Sequence, residues 1–144
     1  MIYWFYGQPG AGKTTLSNAL ISRINAIQVD GDDIRSVFNN KDYSKEGRIK
    51  NLTLINNIVR FLDHKNFDVV VSVVSPYQEI RDQMLDLDIK YFYVCTTEIR
   101  GKENYFVESL EIGENDHILD TTNRTPIQVI NEILSLYRSL AALA

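Results

Sequence analysis

Residues 7–14 read Gly-Gln-Pro-Gly-Ala-Gly-Lys-Thr, which fits the phosphate-binding pattern G-x-x-x-x-G-K-[ST]. The apolar run Ile2–Tyr6 before it has strand character, and a helical stretch opens at Thr15. The glycines allow a tight turn whose backbone N–H groups face inward, and the helix N-terminus adds a positive dipole end. The sequence therefore predicts a nucleoside-triphosphate site formed by Gly7, Gln8, Pro9, Gly10, Ala11, Gly12, Lys13, Thr14 and Thr15.

Two side chains of this loop carry charge chemistry. We expect Lys13 to reach the β- and γ-phosphates of the triphosphate. We expect the hydroxyl of Thr14 to be a ligand of Mg²⁺, so the predicted cofactor is Mg²⁺ bound together with the triphosphate.

Length and composition set further bounds. The chain has 144 residues, 44% of them hydrophobic, which predicts one domain over residues 1–144. The net charge of −4 gives no field suited to nucleic acid, and no stretch is long enough to span a bilayer. A single cysteine, Cys95, and the lack of a basic segment before the first strand favour the cytoplasm. The sequence leaves the oligomeric state open, with a homodimer as one of the alternatives.

Strands alternate with helices along the chain. Helical periodicity runs from Ile49 to Leu62, and Ser75 and Thr125 each stand before a proline as expected N-caps of helices. The alternation, with a phosphate loop after the first strand, predicts a three-layer, doubly wound α/β fold with a parallel sheet of about five strands. The loop alone leaves GTPases, motor-type ATPases and small-molecule kinases open, and the small size and the next motif favour the P-loop kinase type. The expected strands are Ile2–Tyr6, Ala26–Val29, Val69–Val74, Tyr91–Cys95 and His117–Asp120.

A second motif, Asp30-Gly31-Asp32-Asp33-Ile34-Arg35, follows the second strand. Its acids lie at a strand's carboxyl end, where open α/β sheets bind ligands. A carboxylate there can accept a hydroxyl proton or hold Mg²⁺ through water, and Arg35 can bind an anionic substrate. The alternative is a turn in which Asp30 or Asp32 caps a helix. A GTPase-type Asn-Lys-x-Asp run is absent from the sequence, which favours a kinase.

These blocks resemble the adenylylsulfate kinase family, whose members phosphorylate the 3′-hydroxyl of adenosine 5′-phosphosulfate with MgATP. The resemblance is carried by the phosphate loop and by three later blocks in matching order, with a weaker fifth block at Leu119-Asp120-Thr121. The later blocks are Asp30–Arg35, Tyr43-Ser44-Lys45-Glu46-Gly47-Arg48-Ile49-Lys50-Asn51, and Ser72-Val73-Val74-Ser75-Pro76-Tyr77 with Arg81.

The resemblance implies roles for individual residues. Arg35, Arg48 and Asn51 would contact the acceptor nucleotide, and Tyr43 would stack near its adenine. Ser75, Pro76 and Tyr77 would frame its phosphosulfate end. Asp32 or Asp30 would orient the acceptor hydroxyl. The family also marks the equivalent of Ser75 as a phospho-acceptor, but we favour direct in-line transfer, since positioning and charge neutralisation suffice.

The chain departs from the family pattern at two places. The family usually has two arginines just after the position of Asn51, where this chain has Thr53 and Leu54. Its lid is short here: we expect one around residues 96–116, with Arg100 and Lys102 as charge-neutralising groups that close over both nucleotides. Two further functions therefore stay open, namely a kinase for another nucleotide or sugar hydroxyl, and a nucleotide-binding module without chemistry.

Overall fold

The computed structural model describes residues 1–97, 107 and 110–143, with side chains up to residue 137. Strands and helices alternate along these residues, and the predicted three-layer α/β fold with a five-stranded parallel sheet is confirmed. The elements are β1 (Ile2–Tyr6), α1 (Lys13–Ile21), β2 (Ile27–Asp30), α2 (Gly31–Val37), α3 (Lys45–His64), β3 (Val69–Val73), α4 (Gln78–Arg81) with a following 3₁₀ turn (Asp82–Met84), β4 (Ile89–Cys95), β5 (His117–Asp120) and α5 (Pro126–Leu143).

The strand order is β2-β3-β1-β4-β5, and every neighbouring pair is parallel. The chain builds β2 and β3 on one side of β1 and then crosses to build β4 and β5 on the other. Strand order therefore reverses next to β1. Ligands of open α/β sheets bind in the crevice outside the carboxyl ends of the strands at such a switch point.

Strand β1 is buried on both faces. Trp4 and Tyr6 face the core that also contains α3, whereas Tyr3 and Phe5 face the core that contains α1 and α5. Because helices cover both sides of the sheet, the strand is apolar without alternation, as its sequence indicates.

The helices begin where local signals place them. The Ser44 hydroxyl accepts a hydrogen bond from the backbone N–H of Gly47 at 3.2 Å, so α3 begins four residues before the periodicity at Ile49. The predicted cap of α5 is confirmed, because the Thr125 hydroxyl accepts from the Gln128 N–H at 3.2 Å. Over the described part of the chain, no helix is both long and apolar enough to cross a bilayer.

The expected N-cap at Ser75 is wrong. Helix α4 begins at Gln78, and Tyr77 precedes it without a side-chain cap. Ser75 instead has φ +43°, in the left-handed region. A residue before proline is disfavoured in the right-handed helical region, and the Ser75 carbonyl accepts a hydrogen bond from the buried Arg81 side chain. The turn is therefore set by tertiary contacts.

The core under α3 can be tested with Ile55→Ala. Ile55 is fully buried between the helix and the sheet, and loss of such a side chain costs about 2–5 kcal/mol. We expect the free energy of unfolding, measured by urea denaturation, to fall by that amount. The control Val37→Ala removes methyl groups from a residue that is 74% exposed and should change it by less than about 0.5 kcal/mol. Equal changes for both would contradict this packing.

Candidate active site

The phosphate-binding loop joins β1 to α1 and requires a glycine at its first position. Gly7 has φ +154°, and a Cβ atom there would lie 2.3 Å from the backbone oxygen of Val94 in β4. Helix α1 begins at Lys13, and its N-cap, Gly12, offers no side chain to the first N–H groups. Those groups are the ones that bind anions at helix N-termini.

Gln8 holds two parts of the site together. Its backbone oxygen accepts a hydrogen bond from the Lys13 ammonium at 2.7 Å. Its side chain binds the backbone of Val107, with Nε2 donating to the carbonyl at 2.6 Å and Oε1 accepting from the N–H at 2.8 Å. Val107 is buried and lines the same cavity as the loop. The motif predicted only that Gln8 lies at the triphosphate site, because no local pattern indicates a hydrogen bond to a residue as distant in the chain as Val107.

The Asp30 carboxylate connects three elements. Its Oδ2 atom accepts hydrogen bonds from the Thr14 hydroxyl at 2.8 Å and from the Ser72 hydroxyl at 2.6 Å. Its Oδ1 atom accepts from the Asp32 N–H at 3.0 Å and so caps α2. Asp30 therefore caps α2, as the alternative interpretation predicted, and also contacts the phosphate loop through Thr14. Ser72 is a site residue that the sequence interpretation did not identify.

The donor set at this point fits Mg²⁺. Thr14 Oγ1 and the Asp30 carboxylate are hard oxygen ligands, side by side at the phosphate loop. No group of three or more His, Cys, Asp or Glu side chains that could hold a metal occurs among the described residues. Mg²⁺ needs no such cage, since it is usually bound by one or two protein oxygens together with phosphates and water.

Arg35 and Tyr43 lie on one wall of the site as a stacked pair. The guanidinium carbon of Arg35 is 4.1 Å from the centre of the Tyr43 ring. The Nη1 atom of Arg35 donates to the backbone oxygens of Asn40 and Asp42, at 3.2 and 2.9 Å. Part of this guanidinium is therefore already used to hold the loop between α2 and α3. Asp32, in the first turn of α2, is exposed at the same wall.

Arg48 and Asn51 lie one turn apart on α3 and have unused hydrogen-bonding capacity. The guanidinium of the half-buried Arg48 has no hydrogen bond or ion pair among the described residues. Asn51 is 4% exposed, and its Oδ1 atom has no hydrogen-bond partner. A cation and a buried acceptor atom are thus presented to the cavity.

The loop Ser75–Tyr77 closes the far wall. Ser75 is buried, and its hydroxyl has no hydrogen-bond partner. The carbonyl of Pro76 accepts from the N–H of Glu111 at 2.8 Å. The Tyr77 ring is buried beneath α3, with the Lys45 ammonium 5.2 Å from its centre.

These walls enclose one cavity of about 780 Å³. Its volume is in the range of small-molecule sites. Most of the predicted residues line it: Pro9, Gly10, Gly12, Lys13, Thr14, Thr15, Asp30, Asp32, Arg35, Tyr43, Arg48, Asn51, Ser75 and Pro76. Gly7, Gln8, Ala11 and Tyr77 are outside this lining. Arg100 and Lys102, the predicted lid cations, lie outside the described residues.

A second hollow of about 410 Å³ lies on the other flank of the phosphate loop. Thr121, Arg124 and Pro126 line it, and none of them was identified from the sequence as a binding residue. The Glu132 carboxylate accepts a hydrogen bond from Arg124 Nη2 at 2.5 Å, and its other oxygen lies 3.2 Å from His117 Nε2. The ion pair with Arg124, followed by the hydrogen bond to His117, lowers the pKa of Glu132. The signals available in the sequence were the Leu119-Asp120-Thr121 block and the helix cap at Thr125.

The parallel sheet with a phosphate loop after its central strand has the architecture of the P-loop kinases. Residues 1–98 match the model of the adenylylsulphate kinase family, and the chain belongs to this family. The resemblance stated from the motifs is thereby confirmed.

The chain is also similar to curated kinases in sequence and to a solved structure in fold. The chain is 39% identical over 87 residues to the adenylyl-sulfate kinase of Picosynechococcus, covering 56% of this chain and 49% of that protein. It is 33% identical over 86 residues to the cytidine diphosphoramidate kinase of Campylobacter jejuni, covering 56% and 51%. It thus spans about half the length of these curated relatives. The fold matches the Mycobacterium tuberculosis APS kinase CysC, solved with AMPPNP and APS, with TM-score 0.78 over 95% of this chain and 96% of that one at 19% identity.

The Gln8 contact can be tested with Gln8→Ala. The substitution removes both hydrogen bonds to the Val107 backbone, and one hydrogen bond contributes about 0.5–1.5 kcal/mol. We expect the Val107 amide hydrogen to exchange roughly tenfold faster in native-state exchange measured by NMR. The control Gln28→Ala removes two side-chain hydrogen bonds, to Ser17 and Asn18, and should leave that amide unchanged. Unaltered exchange in Gln8→Ala would show that Val107 is held by other contacts.

Proposed function

We propose that this protein is a magnesium-dependent kinase that transfers the γ-phosphoryl group of ATP to the 3′-hydroxyl of adenosine 5′-phosphosulfate. One observation carries the proposal: the phosphate loop and the guanidinium of Arg48, which has no partner in the part of the chain that the structure describes, line the same cavity. A triphosphate donor and an anionic acceptor can therefore meet there. Family membership and the names of the relatives support the choice of acceptor.

The donor half is the phosphate loop. Lys13 and the first N–H groups of α1 would neutralise the β- and γ-phosphates. Thr14 and Asp30 would hold Mg²⁺, which when bound neutralises charge on the same phosphate oxygens. The second hollow adjoins the loop at Gly10, Gly12 and Thr15, so the donor's nucleoside can extend into it.

The acceptor half is the opposite wall. Arg48, and the part of Arg35 that the loop does not use, would bind the acceptor's anionic group. Asn51 Oδ1 would accept a hydrogen bond from a hydroxyl or amino group of the acceptor nucleotide, and Asp32 would orient the reacting hydroxyl. Phosphoryl transfer needs little more than such positioning and charge neutralisation.

Direct transfer to the acceptor remains the proposed route. A serine nucleophile is weak unless an adjacent base activates it. The Ser75 hydroxyl is buried and contacts no base among the described residues. We therefore assign Ser75 to binding and positioning.

A second acceptor is supported by one of the relatives. The Campylobacter jejuni protein is named a kinase of cytidine diphosphoramidate, which carries a different base. This chain also has Thr53 and Leu54 where the resemblance leads one to expect arginines. A kinase that acts on another nucleotide therefore remains the alternative.

A coupled assay of ADP release tests the proposal. The acceptors are adenosine 5′-phosphosulfate, cytidine diphosphoramidate and a simple sugar, with a sample without acceptor. We expect turnover with adenosine 5′-phosphosulfate and none in Lys13→Ala, whose fold is checked by circular dichroism, because the charge on the transferring phosphates is then not neutralised. Turnover only with cytidine diphosphoramidate would establish the alternative. ATP binding without turnover on any acceptor would indicate a nucleotide-binding module.

The acceptor role of Arg48 can be tested with Arg48→Ala. A hydrogen bond to a charged group contributes about 1.5–3 kcal/mol, so we expect kcat/KM for the acceptor to fall roughly 10- to 150-fold. The value for ATP should change little. The control is Arg23→Ala, since Arg23 donates to the Asn131 amide oxygen at 3.4 Å and does not line the cavity. Equal losses toward ATP and acceptor would assign Arg48 to the donor or to the fold.

A further inference from the structure

Arg81 is a buried cation that the proposed mechanism does not use. It is 2% exposed, it does not line the cavity, and no carboxylate forms an ion pair with it among the described residues. Burying a charge is unfavourable unless hydrogen bonds replace its water. This buried charge contacts the Ser75–Tyr77 loop, called the acceptor loop below, so its contacts there must offset the cost of burial.

The contacts of Arg81 join separate segments. Nη1 donates to the carbonyl of Ser75, and Nη2 donates to the carbonyl of Glu111 and to Gln78 Oε1, the last at 2.8 Å. The guanidinium carbon lies 4.2 Å from the centre of the Tyr6 ring. One side chain thus spans the acceptor loop, the segment before β5 and the end of β1.

Two of these partners, Ser75 and Tyr6, have further features that bear on the site. Ser75 holds φ +43°, which is unfavourable for a residue other than glycine. The Tyr6 hydroxyl donates to Asp116 Oδ2 at 2.5 Å and accepts from the Gly113 N–H at 3.1 Å. Burial and the hydrogen bond to Asp116 raise the pKa of the Tyr6 phenol. Tyr6 directly precedes Gly7, so the network ends at the phosphate loop.

We propose that Arg81 is a positioning residue, which holds the Ser75–Tyr77 loop in the left-handed turn that the acceptor requires and fixes that loop relative to the phosphate loop. It acts through the Ser75 carbonyl and does not touch the substrate. The inference rests on the proposed function, because it assigns the Ser75–Tyr77 loop to the acceptor. The planar guanidinium is suited to this role, since its rigid fork of donors reaches separate carbonyls while its face stacks on a ring.

The test compares Arg81→Gln, Arg81→Lys and the control Arg60→Gln. Arg60 is also an arginine beside the same 3₁₀ turn, bound to Asp86 at 2.6 Å, but it is far more exposed and does not line the cavity. In Arg81→Gln we expect kcat/KM for adenosine 5′-phosphosulfate to fall about 100-fold, the scale of a misplaced binding group. The dissociation constant of ADP, measured by calorimetry, should change less than about threefold. Arg81→Lys should recover part of the loss, and Arg60→Gln should show none.

A second measurement does not depend on turnover. The backbone chemical shifts of Ser75, read by NMR, report its φ angle, and we expect them to leave the left-handed range in Arg81→Gln. If the wild type turns over no acceptor, the proposed function fails, and these shifts still test the positioning. Unchanged Ser75 shifts, or equal losses for acceptor and ADP, would overturn the inference. If Arg81→Gln does not fold, as judged by thermal melting, the same criteria apply to Arg81→Lys.

Discussion

The burial of β1 on both faces is the constraint on which the site depends. β1 pairs in parallel with β3 on one side and β4 on the other. A shift of one residue in its register would exchange the side chains of its two faces, which pack into different cores. The end of the strand is therefore fixed, and with it the approach of Gly7 to the Val94 carbonyl. The packing of β1 therefore places the start of the phosphate loop.

Much of the fold was predictable because its signals are local. An apolar run followed by a glycine loop specifies a strand and a turn. A threonine that precedes proline, with glutamine three residues after the threonine, specifies the start of a helix. Ser75 is a position at which prediction from local sequence fails. The same pattern before Pro76 predicts a helix cap, but hydrogen bonds from Arg81 and Glu111 hold the loop in another conformation. Sequence patterns cannot foresee such partners, because tertiary contacts overrule the local preference.

The site shows the same division. Lys13, Thr14 and Asp30 were predictable because each lies in a motif or at the end of a strand. Ser72 was not, although β2 and β3 pair Asp30 directly with it. Once that pairing is known, a hydrogen bond between the Ser72 hydroxyl and the Asp30 carboxylate is expected at the carboxyl ends of these strands. Gln8 is harder still, since its partner Val107 is identified only by backbone atoms, which no residue pattern encodes.

The two halves of the cavity differ in how their polar groups are satisfied. At the phosphate loop, Lys13 and Thr14 bind protein oxygens. On the α3 wall, Arg48 has no partner among the described residues, and Asn51 Oδ1 is buried without one. A buried acceptor atom without a partner costs free energy, and a ligand with a matching donor would recover it.

This difference bears on substrate choice. Sites built to hydrogen-bond a substrate group discriminate strongly against analogues that lack the group, because their own polar atoms are then left unpaired. Triphosphates present the same phosphates whatever their base, so a phosphate loop discriminates little among them. If the proposed function holds, the unpaired atoms of α3 would therefore contribute more than the phosphate loop to the choice of acceptor nucleotide.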